Sequence, residues 1–267
     1  MEEKVGLEPL DPRAIERLDL NLYSRQLGLL GARGQLRLAS ARVAVVGLGG
    51  LGSLAAAYLA AAGVGRLILV DRDVVEPSNL NRQVLYGRGD VGKYKAVVAA
   101  ERLAEMNPEA EVEPIPEPLD PILAEDLAQE ADVIVDGLDN WMARLWLDAA
   151  AWRRGRPLVH GAAERMHGQV TTVERGRSSC LACIAPSNPE LSGCTAIIAP
   201  TVGVVSSLEV LEALKLLAGV GEPLYSRLAI IDLTYPRIEV LRLAQMDCGL
   251  CLTRLKGGED LASLYGL

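Results

Sequence analysis

The stretch VVGLGGLGS, Val45 to Ser53, constrains this chain most. Gly47, Gly49 and Gly52 stand at G-x-G-x-x-G spacing, after the apolar run RVAVV and before the alanine-rich SLAAAYLAAAG. Glycines at this spacing permit a tight turn and let backbone N–H groups approach phosphate oxygens, with the next helix N-terminus adding partial positive charge. Asp71 ends the following apolar run, RLILVD, about twenty residues on, where a carboxylate can bond ribose hydroxyls. Strand, glycine loop, helix, strand and acid in that order predict a nucleotide site, but leave NAD and ATP both open.

Periodicity extends the pattern. KYKAVVAAERLAEMN reads as a helix closed by Pro108, AEVEPIPEPL as an edge strand, PILAEDLAQE as a helix, and DVIVDGLDN as a buried strand with its loop. RPLVHGAA and GQVTTVERG read as strands, PTVGVVSSLEVLEALKLLAG as a long helix, and LAIIDLTYPRIEVLRL as two strands around Tyr235-Pro236. The alternation predicts an α/β fold: a doubly wound, mostly parallel, Rossmann-like sheet with antiparallel C-terminal strands. Before it, DPRAIERLDLN and YSRQLGLLGARGQLRLASA predict an N-terminal helical arm over residues 1–40. No linker is visible, so residues 1–267 are expected to form a single domain.

Composition excludes several classes. Of the 267 residues half are hydrophobic, and 27 basic residues face 35 acidic ones, a net charge of −8. That is no general footprint for nucleic acid. The start of the chain is charged and lacks an apolar signal core, and Glu209, Glu212 and Lys215 interrupt the most apolar helix, so neither secretion nor a membrane span is expected. The expected compartment is the cytoplasm.

Charged residues then gather where the fold would place a ligand. In DRDVVEPSNLNRQ, Asp71, Asp73, Asn79, Arg82 and Gln83 share the loop after the second strand, and Lys95 follows at the start of the next helix. Arg82 and Lys95 together suit a polyphosphate, and cations beside a departing group suit ATP cleavage better than hydride transfer. Asp139, in DGLDN, ends a strand on the same side; a carboxylate there can hold Mg²⁺ bridging phosphates, and Asp or Asn at this place is equally an ordinary helix N-cap.

Cys180 and Cys183 form one C-x-x-C pair, Cys248 and Cys251 another, about 65 residues on. Two such pairs can close a Cys₄ tetrahedral site, the usual form of structural Zn²⁺, which has no open position for catalysis. Cys194, in SGCTAIIAP, is the odd thiol: a small buried hydrophobe, or a nucleophile on a crossover loop. His160 and His167 are the only histidines and are expected to be structural.

In combination these motifs resemble the ThiF/MoeB/HesA family, the bacterial relatives of ubiquitin-activating enzymes. The resemblance starts at YSRQ, Tyr23 to Gln26. It runs through GLGGLGS, DRDVVEPSNLNRQ, VGKYK, GLDN, GAAERMHGQVT, both C-x-x-C pairs and PTVGVVSSLEVLEALKLLAG, and so covers nearly the whole chain.

The resemblance implies an ATP-dependent adenylyltransferase that activates the C-terminal Gly-Gly carboxylate of a ubiquitin-like sulfur carrier protein, giving an acyl-adenylate and pyrophosphate on the way to a thiocarboxylate. It implies that Gly47, Gly49, Gly50, Gly52, Asp71, Asp73, Asn79 and Gln83 help bind ATP. It implies that Arg82 and Lys95 support the departing pyrophosphate and Asp139 helps bind Mg²⁺. Arg25 would reach the site of the other subunit in a homodimer, and Cys194 stands near the family's reactive cysteine. Only 16 residues follow Cys251, so sulfur is expected from a separate donor protein of cysteine desulfurase or rhodanese type. Two other readings remain: an NAD-dependent oxidoreductase, which leaves Arg25, Asp139 and the cysteine pairs without roles, and a non-catalytic carrier-binding partner.

Overall fold

Along Arg42–Val46 successive side chains point to opposite faces, and both faces are covered: Val43 and Val45 join one apolar cluster, Ala44 and Val46 another. This strand, β1, sits inside an eight-stranded sheet of order β3-β2-β1-β4-β5-β6-β7-β8. The computed structural model describes residues 18–185 and 196–244.

Five strands are parallel: β1, β2 (Arg66–Val70), β3 (Glu111–Ile115), β4 (Val133–Asp136) and β5 (Leu158–Glu164). Three more follow antiparallel: β6 (His167–Val173), β7 (Arg227–Asp232) and β8 (Arg237–Arg242). Pro114 lies in β3 at the sheet edge, where a missing N–H is tolerated. The doubly wound expectation with antiparallel C-terminal strands therefore holds.

Six helices cover the sheet among the described residues: α1 (Ser24–Ser40), α2 (Gly50–Ala61), α3 (Lys95–Met106), α4 (Pro121–Glu130), α5 (Trp141–Arg154) and α6 (Ala199–Ala218). Leu38, Leu59, Leu103 and Val205 of α1, α2, α3 and α6 pack with Val45 and Leu69 on one face. Leu127, Leu147 and Trp152 of α4 and α5 pack with Ile68 and Ile134 on the other. Each fully buried Leu, Ile or Val contributes about 1.5–3 kcal/mol. The second helical piece expected in the arm is α1; most of the first lies outside the described residues, and its last residues, 20–21, form a turn. No helix among the described residues is long and apolar enough to cross a membrane.

The charges inside α6 have specific settings. Glu212 accepts from the Thr172 hydroxyl (2.8 Å), the Leu224 N–H (2.6 Å) and the Lys215 ammonium. Glu209 is fully buried against Gly161, and neither of its carboxyl oxygens has a hydrogen-bond partner. Burial, together with the Asp136 charge and against the opposing pull of Arg144, raises the Glu209 carboxyl well above its usual 4.5. A carboxyl raised by folding stabilises fully below its unfolded value and loses that contribution as pH rises. Glu209→Gln is therefore expected to melt above the wild type at pH 8, with the gap closing as pH falls toward 4.5. Thermal melts across pH check this, and a pH-independent difference would overturn it.

Candidate functional site at the carboxyl ends of the parallel strands

The strand order reverses between β1 and β4, because β1 leads through α2 to β2 on one side while β4 lies on the other. Doubly wound sheets open a crevice at this point, beyond the carboxyl ends of the strands. The loops after β1 and β4 meet there, backbone on backbone. Gly47 has φ +86°, and a Cβ on it would come 2.7 Å from the Gly137 carbonyl oxygen. A Cβ on Gly137 would stand 2.5 Å from the Gly47 oxygen, and one on Gly52 would overlap that oxygen outright. The Gly47 N–H donates to Val70 (2.8 Å) and the Gly137 N–H to Val46 (2.9 Å), which fixes both turns to the strands. α2 then begins at Gly50 with no side-chain cap and no acidic residue in its first turn. Its first amides are thus open to an anion.

Asp71 braces this loop. Its Oδ2 accepts from the Leu48 N–H (2.7 Å) and its Oδ1 from the Asp73 N–H (2.8 Å). Burial raises the Asp71 carboxyl, against the Lys95 charge and the two amides. The expected ribose contact must therefore use the remaining lone pairs of a carboxylate already engaged with backbone. Tyr86 adds a second brace, its hydroxyl donating to the Leu48 carbonyl (2.9 Å), and burial raises that phenol.

Around the loop stand most of the polar residues that the sequence singled out. Lys95 is only 5% exposed, and its Nζ lies 3.1 Å from Oδ2 of the exposed Asp73. Gln83 is 3% exposed, with Oε1 lacking a hydrogen-bond partner and Nε2 3.8 Å from where a Gly49 Cβ would be. A buried, unsatisfied amide beside a glycine loop and an uncapped helix fits a polar ligand. Asn79 instead shapes its own turn, accepting from the Glu76 N–H (3.0 Å). Arg82 likewise donates within its loop, to the Ser78 carbonyl and Asn81 Oδ1, both at 3.0 Å.

The two readings of Asp139 separate clearly. Asn140 caps α5, accepting from the Ala143 N–H at 2.9 Å. Asp139 is exposed, and its Oδ1 receives only a long bond from Asn140 Nδ2 (3.4 Å). One exposed carboxylate, not committed to the helix cap, fits the donor set that Mg²⁺ commonly uses. Behind it lies a buried cluster absent from the sequence reading. His160 Nδ1 is 2.7 Å from Asp136 Oδ2, and Arg144 Nε is 3.4 Å from the same oxygen. Burial alone would raise the Asp136 carboxyl, but Arg144 and His160 hold it below its usual value. As Asp136 is then an acceptor only, His160 Nδ1 carries the proton of a neutral ring whose pKa burial lowers.

One expected contributor lies elsewhere. Arg25 is exposed on α1, next to Gln26, whose amide donates to the Ala62 carbonyl (2.8 Å) at the far end of α2. α2 has 12 residues and is about 18 Å long, so Arg25 is not assembled with the glycine loop of its own chain. Cys194, Cys248 and Cys251 lie outside the described residues. The sulfurs of Cys180 and Cys183 are 3.6 Å apart. That is too far for a disulfide and close to the ~3.8 Å edge of a tetrahedral thiolate–zinc site. No group of three or more metal-ligating side chains occurs among the described residues.

Residues 23–252 match the ThiF family. The chain belongs to the ThiF family. This ThiF-family chain is 43% identical over 257 residues to the bovine adenylyltransferase and sulfurtransferase MOCS3, spanning 92% of this chain and 56% of that protein. Against the SAMP-activating enzyme E1 of Haloferax volcanii it is 39% identical, over 89% of this chain and 91% of the other. Against the sulfur carrier protein adenylyltransferase of Thermus thermophilus the identity is 41%, over 80% and 83%. It thus spans little more than half the length of the MOCS3 proteins. Among solved structures, E. coli MccB with ATP superposes at TM-score 0.77 with 26% identity, covering 91% of this chain and 77% of MccB. The ThiF-type fold and the ThiF/MoeB/HesA resemblance are therefore established for this chain.

Proposed function

We propose that this chain is an ATP-dependent adenylyltransferase acting on the C-terminal Gly-Gly carboxylate of a ubiquitin-like sulfur carrier protein. The observation that carries the reading is the convergence, in one crevice, of an uncapped helix N-terminus, the nearly buried ammonium of Lys95 and the exposed carboxylate of Asp139. Relatives named as adenylyltransferases support it. An NAD site would account for the loop and Asp71 but not for Asp139 or Arg25, and the relatives named above are adenylyltransferases or an activating enzyme.

The chemistry follows from charge. A carboxylate oxygen attacks the α-phosphorus of ATP, and the bond from that phosphorus to the pyrophosphate oxygen breaks. Both partners are anionic, so positioning and countercharge lower the barrier. Gly49, Gly50 and Gly52 present amides to the phosphates, Gly47 makes the turn that lets them approach, its own N–H being held by the Val70 carbonyl, and Gln83 closes that side. Asp71 and Asp73 take the ribose side, and Asn79 shapes the loop bearing Arg82. Lys95 and Arg82 meet the charge growing on pyrophosphate, Arg82 by turning from its loop carbonyl. Asp139 would hold Mg²⁺, which when bound neutralises phosphate charge. Arg25 completes the countercharge from the second subunit of a homodimer, in keeping with its distance from the glycine loop of its own chain. The half-exposed Ile238 and Val240 of β8, with Tyr235 in the turn before it, offer an apolar surface for the body of the carrier. Cys194 serves the later step, in which a separate sulfur donor of desulfurase or rhodanese type displaces AMP. The compartment is the cytoplasm.

The test is exchange of labelled pyrophosphate into ATP with purified Gly-Gly carriers. Exchange with at least one carrier is expected, and Cys194→Ala should retain it. Silence across all carriers would overturn the reading. Binding of NADH without ATP would favour the oxidoreductase, and carrier binding without ATP turnover the non-catalytic partner.

We further assign Zn²⁺ to Cys180, Cys183, Cys248 and Cys251. About one zinc per chain is expected by atomic absorption, with Cys180→Ser and Cys248→Ser each losing it and melting lower. Full zinc content in either variant would sink the assignment.

A further inference from the structure

Leu138 is gripped at both ends of its residue. Its N–H donates to Asp136 Oδ1 (3.0 Å), and its carbonyl accepts from Arg144 Nη2. The same Nη2 reaches the Gly161 carbonyl on β5 (3.3 Å), while Arg144 Nε pairs with Asp136 at 3.4 Å. One buried guanidinium thus ties the loop after β4 to the neighbouring strand. His160, its ring tilted against Trp141 with centroids 5.7 Å apart, holds Asp136 at 2.7 Å. Trp141 also lies under the Arg144 guanidinium, 5.3 Å from its carbon to the ring centre. The next residue after Leu138 is Asp139, and the one after that is the α5 cap Asn140.

A charged cluster is an expensive way to hold a strand end. Moving an ion pair out of water costs several kcal/mol per ion, and well-packed apolar side chains often do as well for stability. What apolar packing cannot do is fix both polar ends of one residue, because only hydrogen bonds orient a peptide. The peptide so oriented is the one that carries Asp139.

We propose that Arg144, held by Asp136, is a positioning residue for Asp139: it sets the Leu138 backbone so that the Asp139 carboxylate faces a divalent cation bound with the nucleotide. This rests on the assignment of Asp139 to the cation, and the test separates the two. Lysine at position 144 keeps the charge beside Asp136 but loses the planar fork that spans Asp136, Leu138 and Gly161. The probe is a non-hydrolysable α,β-methylene analogue of ATP, titrated calorimetrically with EDTA and with saturating Mn²⁺. The ratio of the two Kd values reads the contribution of the metal.

Arg144→Lys is expected to lower that ratio about fivefold or more while the metal-free Kd stays within about twofold. Asp139→Asn should lower it similarly, and the double variant should be no worse than Asp139→Asn alone, because the two residues act in series. An unchanged ratio in Arg144→Lys beside a reduced one in Asp139→Asn would overturn the clamp and leave the cation assignment standing. Multiplicative losses in the double variant, or a metal-free Kd weakened as much as the metal-bound one, would also overturn it. An unchanged ratio in Asp139→Asn would remove the assignment on which the clamp rests. Asp136→Asn, which keeps an oxygen for the Leu138 N–H, is read in the same way should Arg144→Lys fail to fold.

Discussion

Lys95→Met is expected to cut pyrophosphate exchange by roughly two to three orders of magnitude, the usual cost of removing one preorganised charge from a transition state. The methionine keeps an unbranched stem of similar length in a nearly buried slot at the start of α3, so the helix should stay in place. What disappears is the ammonium 3.1 Å from Asp73 and near Asp71. Asp73 is exposed and can be rehydrated at little cost, so the melting temperature should change little. Asp71 is half-buried and loses the main charge holding its carboxyl down, so its pKa should climb further. Exchange kinetics and a melting curve on one preparation decide the matter. Wild-type exchange in a folded Lys95→Met protein would mean that Lys95 is only the partner of Asp73.

The second large effect is steric. Gly52→Ala places a methyl group onto the Gly47 carbonyl oxygen and 3.3 Å from Val45 Cγ1. Helix propensity favours alanine here by about 1 kcal/mol, because Gly52 lies in the first turn of α2. The overlap outweighs that preference. The Gly47 oxygen cannot retreat, since Gly137 is packed on it, and Gly47 itself sits at positive φ. Destabilisation of about 3 kcal/mol is expected, near the upper end for overpacking, which lowers Tm by roughly 6–12 °C for a chain of this size. ATP binding should vanish with the shape of the loop. Gly203→Ala is the control: within α6 nothing lies within 4 Å of the added methyl. It should raise stability by about 0.5–1 kcal/mol. Equal melting of Gly52→Ala and the wild type would show that the two loops are not packed backbone on backbone.

These effects divide the molecule according to what local sequence can carry. The β-branched runs, the helix stops and the glycine spacing act within a few residues of themselves, so the strands, helices and phosphate-type loop were legible without coordinates. PILAEDLAQE, for example, is α4 residue for residue. Capping lay at the limit of legibility. Asp139 and Asn140 are both good caps, and only the observed bond to Ala143 assigns the cap to Asn140. The reading also passed over Gly137, although the DG after a buried strand resembled the loop after β1.

By itself, then, the chain's sequence determined an α/β fold of the ThiF family with a glycine loop, an acid after β2 and a lysine opening the next helix. Tertiary structure alone decided that Gly47 and Gly137, 90 residues apart, share one contact. It decided that Asp71 braces the loop as well as lining the crevice, that Arg25 stands away from it, and that Arg144 grips the backbone beside Asp139. The physical reason is that propensity and spacing act along the chain. These contacts are made across it, where strand order and register choose which distant atoms meet.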